Sequence, residues 1–132
     1  MIEGIQGINA VVFLLLGGVH LFWVFGGLWG TPFAIPSTTT GEPVFQPRKG
    51  GTLLVACCLF AAAILNLGFL AIGQWTYFWI GLLFGLRVIG DFKYVGLGKK
   101  IKNTPFAQKD ATIFIPICIY LSLSHFFLFF WQ

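Results

Sequence analysis

Charge is scarce in this chain. Only 9% of its 132 residues are charged, against roughly 25% in soluble domains. With 58% hydrophobic residues, sixteen phenylalanines and five tryptophans, a water-soluble domain would expose large apolar patches. Burial inside a large soluble complex would accommodate the composition, but the apolar residues fall in runs of membrane-spanning length, which points to a bilayer. Acid is scarcer still: Glu3, Glu42, Asp91 and Asp110 offer no evident pair of carboxylates at one depth for glycosidase-type chemistry. Three cysteines give no disulfide framework. Cys57 and Cys58 are adjacent in a predicted helix, about 100° apart, which is poor geometry for a bridge; all three cysteines read as free, buried thiols. C-x-x-C, H-E-x-x-H and G-x-S-x-G are absent, and the glycines lack the strand–loop–helix context of nucleotide sites. Neither a metal nor a cofactor is expected.

The first apolar segment has no basic residue before it and no clean small-x-small cleavage site, so it reads as a retained span. Four spans are predicted, at about residues 5–28, 52–73, 75–95 and 111–131. Each is near the 20 residues that cross roughly 30 Å of hydrocarbon, and each is expected to be helical, because helices satisfy their own backbone in lipid. The expected fold is an all-α integral membrane four-helix bundle forming a single domain. A very short connector, "AIGQWTY", makes spans two and three an antiparallel hairpin. The first connector, "WGTPFAIPSTTTGEPVFQPRKGG", is rich in Pro, Thr and Gly and is not expected to form a regular helix. It either packs against the membrane surface and helix ends or hangs free.

All eight basic residues lie between Arg48 and Lys109. The first and third connectors hold seven of them, and four spans place those connectors on one side. The positive-inside rule then makes that side cytoplasmic and puts both termini outside. Basic residues arranged beside apolar segments suit lipid headgroups, not nucleic acid.

The polar residues inside the spans are the candidates for chemistry. Asn9, Phe13, Leu16, His20, Trp23 and Gly27 form one stripe on span one. Arg87 and Asp91 lie four residues apart and share a face of span three, which Tyr94 continues. An inner charged layer of His20, Arg87 and Asp91 is expected, with an outer neutral layer of Asn9, Asn66, Ser122, Ser124 and His125. For Arg87 three readings are open: an intrahelical pair with Asp91, one wall of a polar pocket between spans one and three, or part of a proton or ion path. His20 reads as a core histidine bonded to a carbonyl, as a pocket residue, as a metal ligand, or as an acid–base partner of Asp91. Asp110 is expected to cap span four, and Pro116 to bend that span and free a carbonyl near Thr112 or Ile113, which the Thr112 hydroxyl partly repairs. Gly81 and Gly85 read as a close-packing face, as do the glycines of span one and the alanines 61–63 of span two.

Three stretches, "GGVHLFWVFGGLWG", "LRVIGDFKYVGLGKK" and "TPFAQKDATIFIPICI", resemble a family of small bacterial four-span membrane proteins catalogued as a domain of unknown function. His20, Trp23, Gly27, Trp29, Arg87, Gly90, Asp91, Tyr94, Gly96, Phe106, Asp110 and Pro116 carry the resemblance, which covers nearly the whole chain. It implies an integral location in the bacterial cytoplasmic membrane and a helical fold, and no established reaction or cofactor. Three functions follow from the residues. The leading one is a binding or transport-related protein for a lipid, a small solute or a partner membrane protein, with His20, Trp23, Arg87, Asp91 and Tyr94 lining the site. The others are a structural or accessory subunit, self-associating or joined to a partner membrane protein through its small-residue faces, and a small membrane enzyme using His20 and Asp91.

Overall fold

Long apolar runs between glycine stops leave helix as the secondary structure for most of the chain. The structure is a computed structural model that describes residues 1–69 and 73–131. Its elements in order are α1 (Ile2–Val24), α2 (Thr31–Ala34), α3 (Lys49–Asn66), α4 (Trp75–Ile89), α5 (Pro105–Lys109), a π-helical turn (Asp110–Phe114) and α6 (Ile115–Trp131). Three helical stretches, Ile2–Val24, Lys49–Asn66 and Pro105–Trp131, are long and apolar enough to cross a membrane; α4 is apolar but shorter. The protein is therefore an all-α, membrane-embedded chain. It divides into two units, one of Met1–Trp29 with Pro47–Gly73 and one of Gly30–Gln46 with Gln74–Gln132.

In the first unit α1 packs on α3. The helix stops explain why both are shorter than the predicted spans. Gly26 takes a left-handed φ of 94°, and the N–H groups of Gly26 and Gly27 return to the carbonyls of Trp23 and Phe22 at 3.0 Å each. This is a Schellman cap, and the Phe22 ring lies over Gly27. At the end of α3, Gly68 has a φ of 75°, and span two stops at Asn66 instead of running to residue 73. Residues 71 and 72 of the predicted hairpin connector, 71–77, lie outside the described residues. Between α1 and α3, Gly17 lies under the Phe60 ring, where an added Cβ would stand 3.1 Å from the ring edge. The Asn9 amide donates to the Asn66 side-chain carbonyl at 3.3 Å, and Asn66 donates to the Ala62 carbonyl at 2.9 Å. Both asparagines are fully buried. Cys57 and Cys58 are free as expected but exposed, while Cys118 is buried; the first two lie off the face that α3 turns to α1.

In the second unit α4 packs on α6. Gly81 admits close approach, because a Cβ there would stand 3.2 Å from the Ser122 carbonyl oxygen. In return the Ser122 hydroxyl donates to the Gly81 carbonyl at 2.8 Å. His125 is buried with Nδ1 2.7 Å from the Leu121 carbonyl. The predicted outer neutral residues thus bond within separate helix pairs. The first connector is ordered: Thr38 N–H donates to Glu42 and Val44 N–H to Pro36, both at 2.8 Å. It also contains α2, a one-turn helix the sequence reading did not expect, begun by Pro32 in its first turn. This helix packs on α5, and the Lys109 ammonium lies 5.8 Å from the centre of the Phe33 ring.

Candidate functional site

Two cations of the second unit, Arg87 and Lys99, converge on one carboxylate, and it is not Asp91. Arg87 Nη2 donates to Asp110 Oδ1 at 2.7 Å. Lys99 Nζ donates to Asp110 Oδ2 at 3.0 Å, and so does the backbone N–H of Gly96, also at 3.0 Å. Asp110 is fully buried. Lys99 is 5% exposed and Arg87 31%. The Lys99 ammonium has a second acceptor in the Gly96 carbonyl at 3.2 Å. Arg87 Nη1 is buried with no hydrogen-bond partner among the described residues. Two cations thus share one anion, and the clasp carries a surplus positive charge.

Asp91 does different work. Its Oδ1 accepts the N–H groups of Lys93, Tyr94 and Val95 at 2.9, 2.8 and 2.9 Å. The expected Arg87–Asp91 pair does not form, because helix α4 ends at Ile89 and the chain turns at Gly90, so the i, i+4 relation is lost. Slight burial pushes the Asp91 carboxyl pKa up, but the three N–H donors outweigh it and hold the pKa below the ordinary aspartate value. Tyr94 lies under the Lys93 ammonium, 5.0 Å from its ring centre.

The loop between α4 and α5 is compact for reasons of backbone chemistry. Gly90 and Gly96 both have positive φ, 74° and 89°. Their backbones pack so closely that a Cβ on Gly90 would collide with the Val95 carbonyl, and one on Gly96 with the Ile89 carbonyl. Leu97 N–H donates to the Val88 carbonyl at 2.9 Å, and the N–H groups of Lys100 and Ile101 both donate to the Lys93 carbonyl, at 3.1 and 3.0 Å. This folding brings Lys99 and Gly96 to Asp110.

Asp110 is not the cap of the last span. That role belongs to Thr104, whose hydroxyl oxygen accepts the Ala107 N–H at 3.1 Å, followed by Pro105 at the first helical position. Asp110 instead opens the π-helical turn. Just before Pro116, Ile115 N–H reaches back five residues to the Asp110 carbonyl, and the Thr112 hydroxyl donates to the Gln108 carbonyl at 2.9 Å.

His20 and Trp23 belong to the first unit. His20 Nδ1 lies 2.7 Å from the Leu16 carbonyl, within reach for a ring N–H to donate to that oxygen. The rings of His20 and Trp23 meet edge to face with centres 5.1 Å apart, and Trp23 Nε1 donates to the Trp29 carbonyl at 2.8 Å. His20 thus makes a carbonyl contact within its own helix while only half-buried.

Neither Lys99 as a site residue nor the partnership of Asp110 with Arg87 was expected from the sequence. Spacing along a helix could not reveal a contact 23 residues apart that passes through a folded loop. The available signal was composition: Asp110 is one of only two aspartates in the chain and stands against an apolar run beside basic residues.

A family model described as a protein of unknown function (DUF3995) matches residues 13–125. The chain belongs to the DUF3995 family. The matched region begins in α1, ends in α6 and contains the whole clasp and the loop it holds, so the DUF3995 region takes in the helical pairs of both units. Neither a curated protein nor a solved structure matches the chain.

Proposed function

We propose that this protein is a membrane-embedded, non-enzymatic binding protein, and that it recognises an anionic group through the basic face of its second unit. The ligand class is an anionic lipid, a small acidic solute or an acidic segment of a partner membrane protein. One observation carries this reading. Among the described residues the ion pairs all end on Asp110, while Lys93, Lys100, Lys102 and Lys109 stay exposed with no carboxylate to neutralise them.

The catalytic reading has less to support it. Asp91 Oδ1 holds three backbone donors, and His20 Nδ1 is bound to a carbonyl. The accessory-subunit reading is favoured by a specific observation, the use of Arg87, Lys99 and Asp110 to fasten a loop to the fold. It would stand if the basic face bound nothing.

The test is retention of anionic lipid in native mass spectra of the purified protein. Each lysine near an anionic surface contributes about 1 kcal/mol, so K93Q/K100Q/K102Q should weaken binding of phosphatidylglycerol by roughly a hundredfold. Equal retention by the variant and the parent would sink the reading.

Four crossings, with the basic face cytoplasmic and both termini outside, remain part of this proposal. The packing of α2 on α5 supports it, since it puts the first and third connectors on one side. A cysteine introduced by T39C should resist an impermeant thiol reagent in intact cells; its labelling would overturn the orientation.

A further inference from the structure

Helix α4 has 15 residues and covers about 22 Å at 1.5 Å per residue, short of a hydrocarbon core of roughly 30 Å. If α4 crosses the bilayer, the residues flanking it lie inside the interfacial zone. At one end the helix itself begins with Trp75, which suits that zone. On the other flank is the loop that follows Ile89.

That loop is built as irregular backbone must be when water is scarce. The N–H groups of Asp91, Lys93, Tyr94, Val95, Gly96, Leu97, Lys99, Lys100 and Ile101 all donate to protein acceptors. A loop in open solvent gains little from such thrift, whereas one at the edge of hydrocarbon requires it. The side chains it turns outward are apolar: Phe92 is 59% exposed and Leu97 is 65% exposed. Phe92 is also the one non-glycine among the described residues with positive φ, at 62°. Such a conformation costs energy for a bulky side chain. Its ring is seated over Gly98, where an added Cβ would stand 2.7 Å from Cδ1. A ring held in a strained backbone position and still left exposed calls for an apolar surrounding. Exposed Lys93, Lys100 and Lys102 flank it, and the clasp behind it is positive.

We infer that the loop following α4 is an interfacial wedge, with Phe92 and Leu97 inserted at the headgroup–acyl boundary of an anionic phospholipid leaflet and the flanking lysines on its headgroups. The inference rests on the reading of the basic face for its lysines, but not for Phe92 and Leu97, so the two can fail separately. The occupant is lipid because the loop begins directly at the end of a short apolar helix and combines apolar tips with cations at one level.

The test uses the full chain in nanodiscs of phosphatidylcholine with phosphatidylglycerol. In a background of C57S, C58S and C118A, an environment-sensitive fluorophore is attached through F92C or L97C, with T40C as the exposed control. Quenching by lipids brominated on the acyl chain should exceed that of the control severalfold at both positions, and iodide quenching should fall below it. Iodide quenching equal to the control would overturn the wedge. Protection from both quenchers would mean that protein covers the loop, and would overturn lipid as its occupant. Should the cysteine-free background fail to fold, F92D/L97D in the natural background should raise tryptic cleavage at Lys93 and Lys100 in the same discs severalfold; unchanged cleavage would overturn the inference. Wedge quenching that persists in K93Q/K100Q/K102Q while phosphatidylglycerol retention is unaffected would remove the function proposed above and leave the wedge standing.

Discussion

Replacing Asp110 with alanine is expected to cost about 3–5 kcal/mol of stability, the loss typical of removing one partner from a buried ion pair. The substitution would strand Lys99, which is almost wholly buried, and leave it the Gly96 carbonyl alone. The Gly96 N–H would lose its acceptor as well, and an unmet buried donor costs about 1–3 kcal/mol. The part due to Arg87 should be small, because that side chain is partly exposed and solvent or headgroups can take over. R87A should therefore be much milder than D110A. Since stabilities are typically about 5–15 kcal/mol, D110A should lower the thermal midpoint in detergent sharply or abolish the folded yield. The triple variant R87A/K99A/D110A should recover part of the loss by removing the stranded charges. A D110A midpoint close to that of the parent would rule out the clasp as a stabilising element.

G90A and G96A form the second strong prediction. Each residue has positive φ, which costs an ordinary L residue roughly 1–2 kcal/mol. Each added Cβ would also meet a backbone carbonyl, which cannot rotate aside as a side chain can. The sum should reach about 3 kcal/mol or more per substitution, and the loop should open. G26A is the internal control: it shares the positive φ but has open space around it, so it should cost only about 1 kcal/mol. Thermal midpoints in detergent would give the ranking, with tryptic cleavage at Lys93 and Lys100 reporting the loop. G90A no more harmful than G26A would show that the Gly90–Gly96 contact contributes nothing.

The two predictions concern one assembly. Gly90 and Gly96 let the loop fold back, Asp91 gathers its N–H groups, and Asp110 receives the lysine that the loop delivers. Its purpose in a membrane is physical. Buried charged groups are costly unless paired, and a carboxylate with three donors gives two cations and a backbone amide a common partner. The clasp leaves the exposed lysines without a carboxylate of their own, which is why the binding proposal is built on them.

Much of this protein was legible before its structure. Composition and apolar run length pointed to the membrane environment and the all-α class, because runs of about 20 apolar residues match the hydrocarbon thickness as helices that satisfy their own backbone in lipid. Glycine spacing indicated the close helix contacts seen at Gly17 and Gly81. Helix ends were less legible: Gly26 and Gly68 stop α1 and α3 early, and an apolar residue beyond a glycine cap looks in sequence like more of the same span. Partnership was decided only by the tertiary structure. Arg87 and Asp91 are four apart, and helical geometry alone would pair them. The turn at Gly90 takes Asp91 off the helix, and the loop's return to α5 puts Asp110 in its place. Local periodicity holds only while the helix lasts, and the charges of this chain meet just beyond its end.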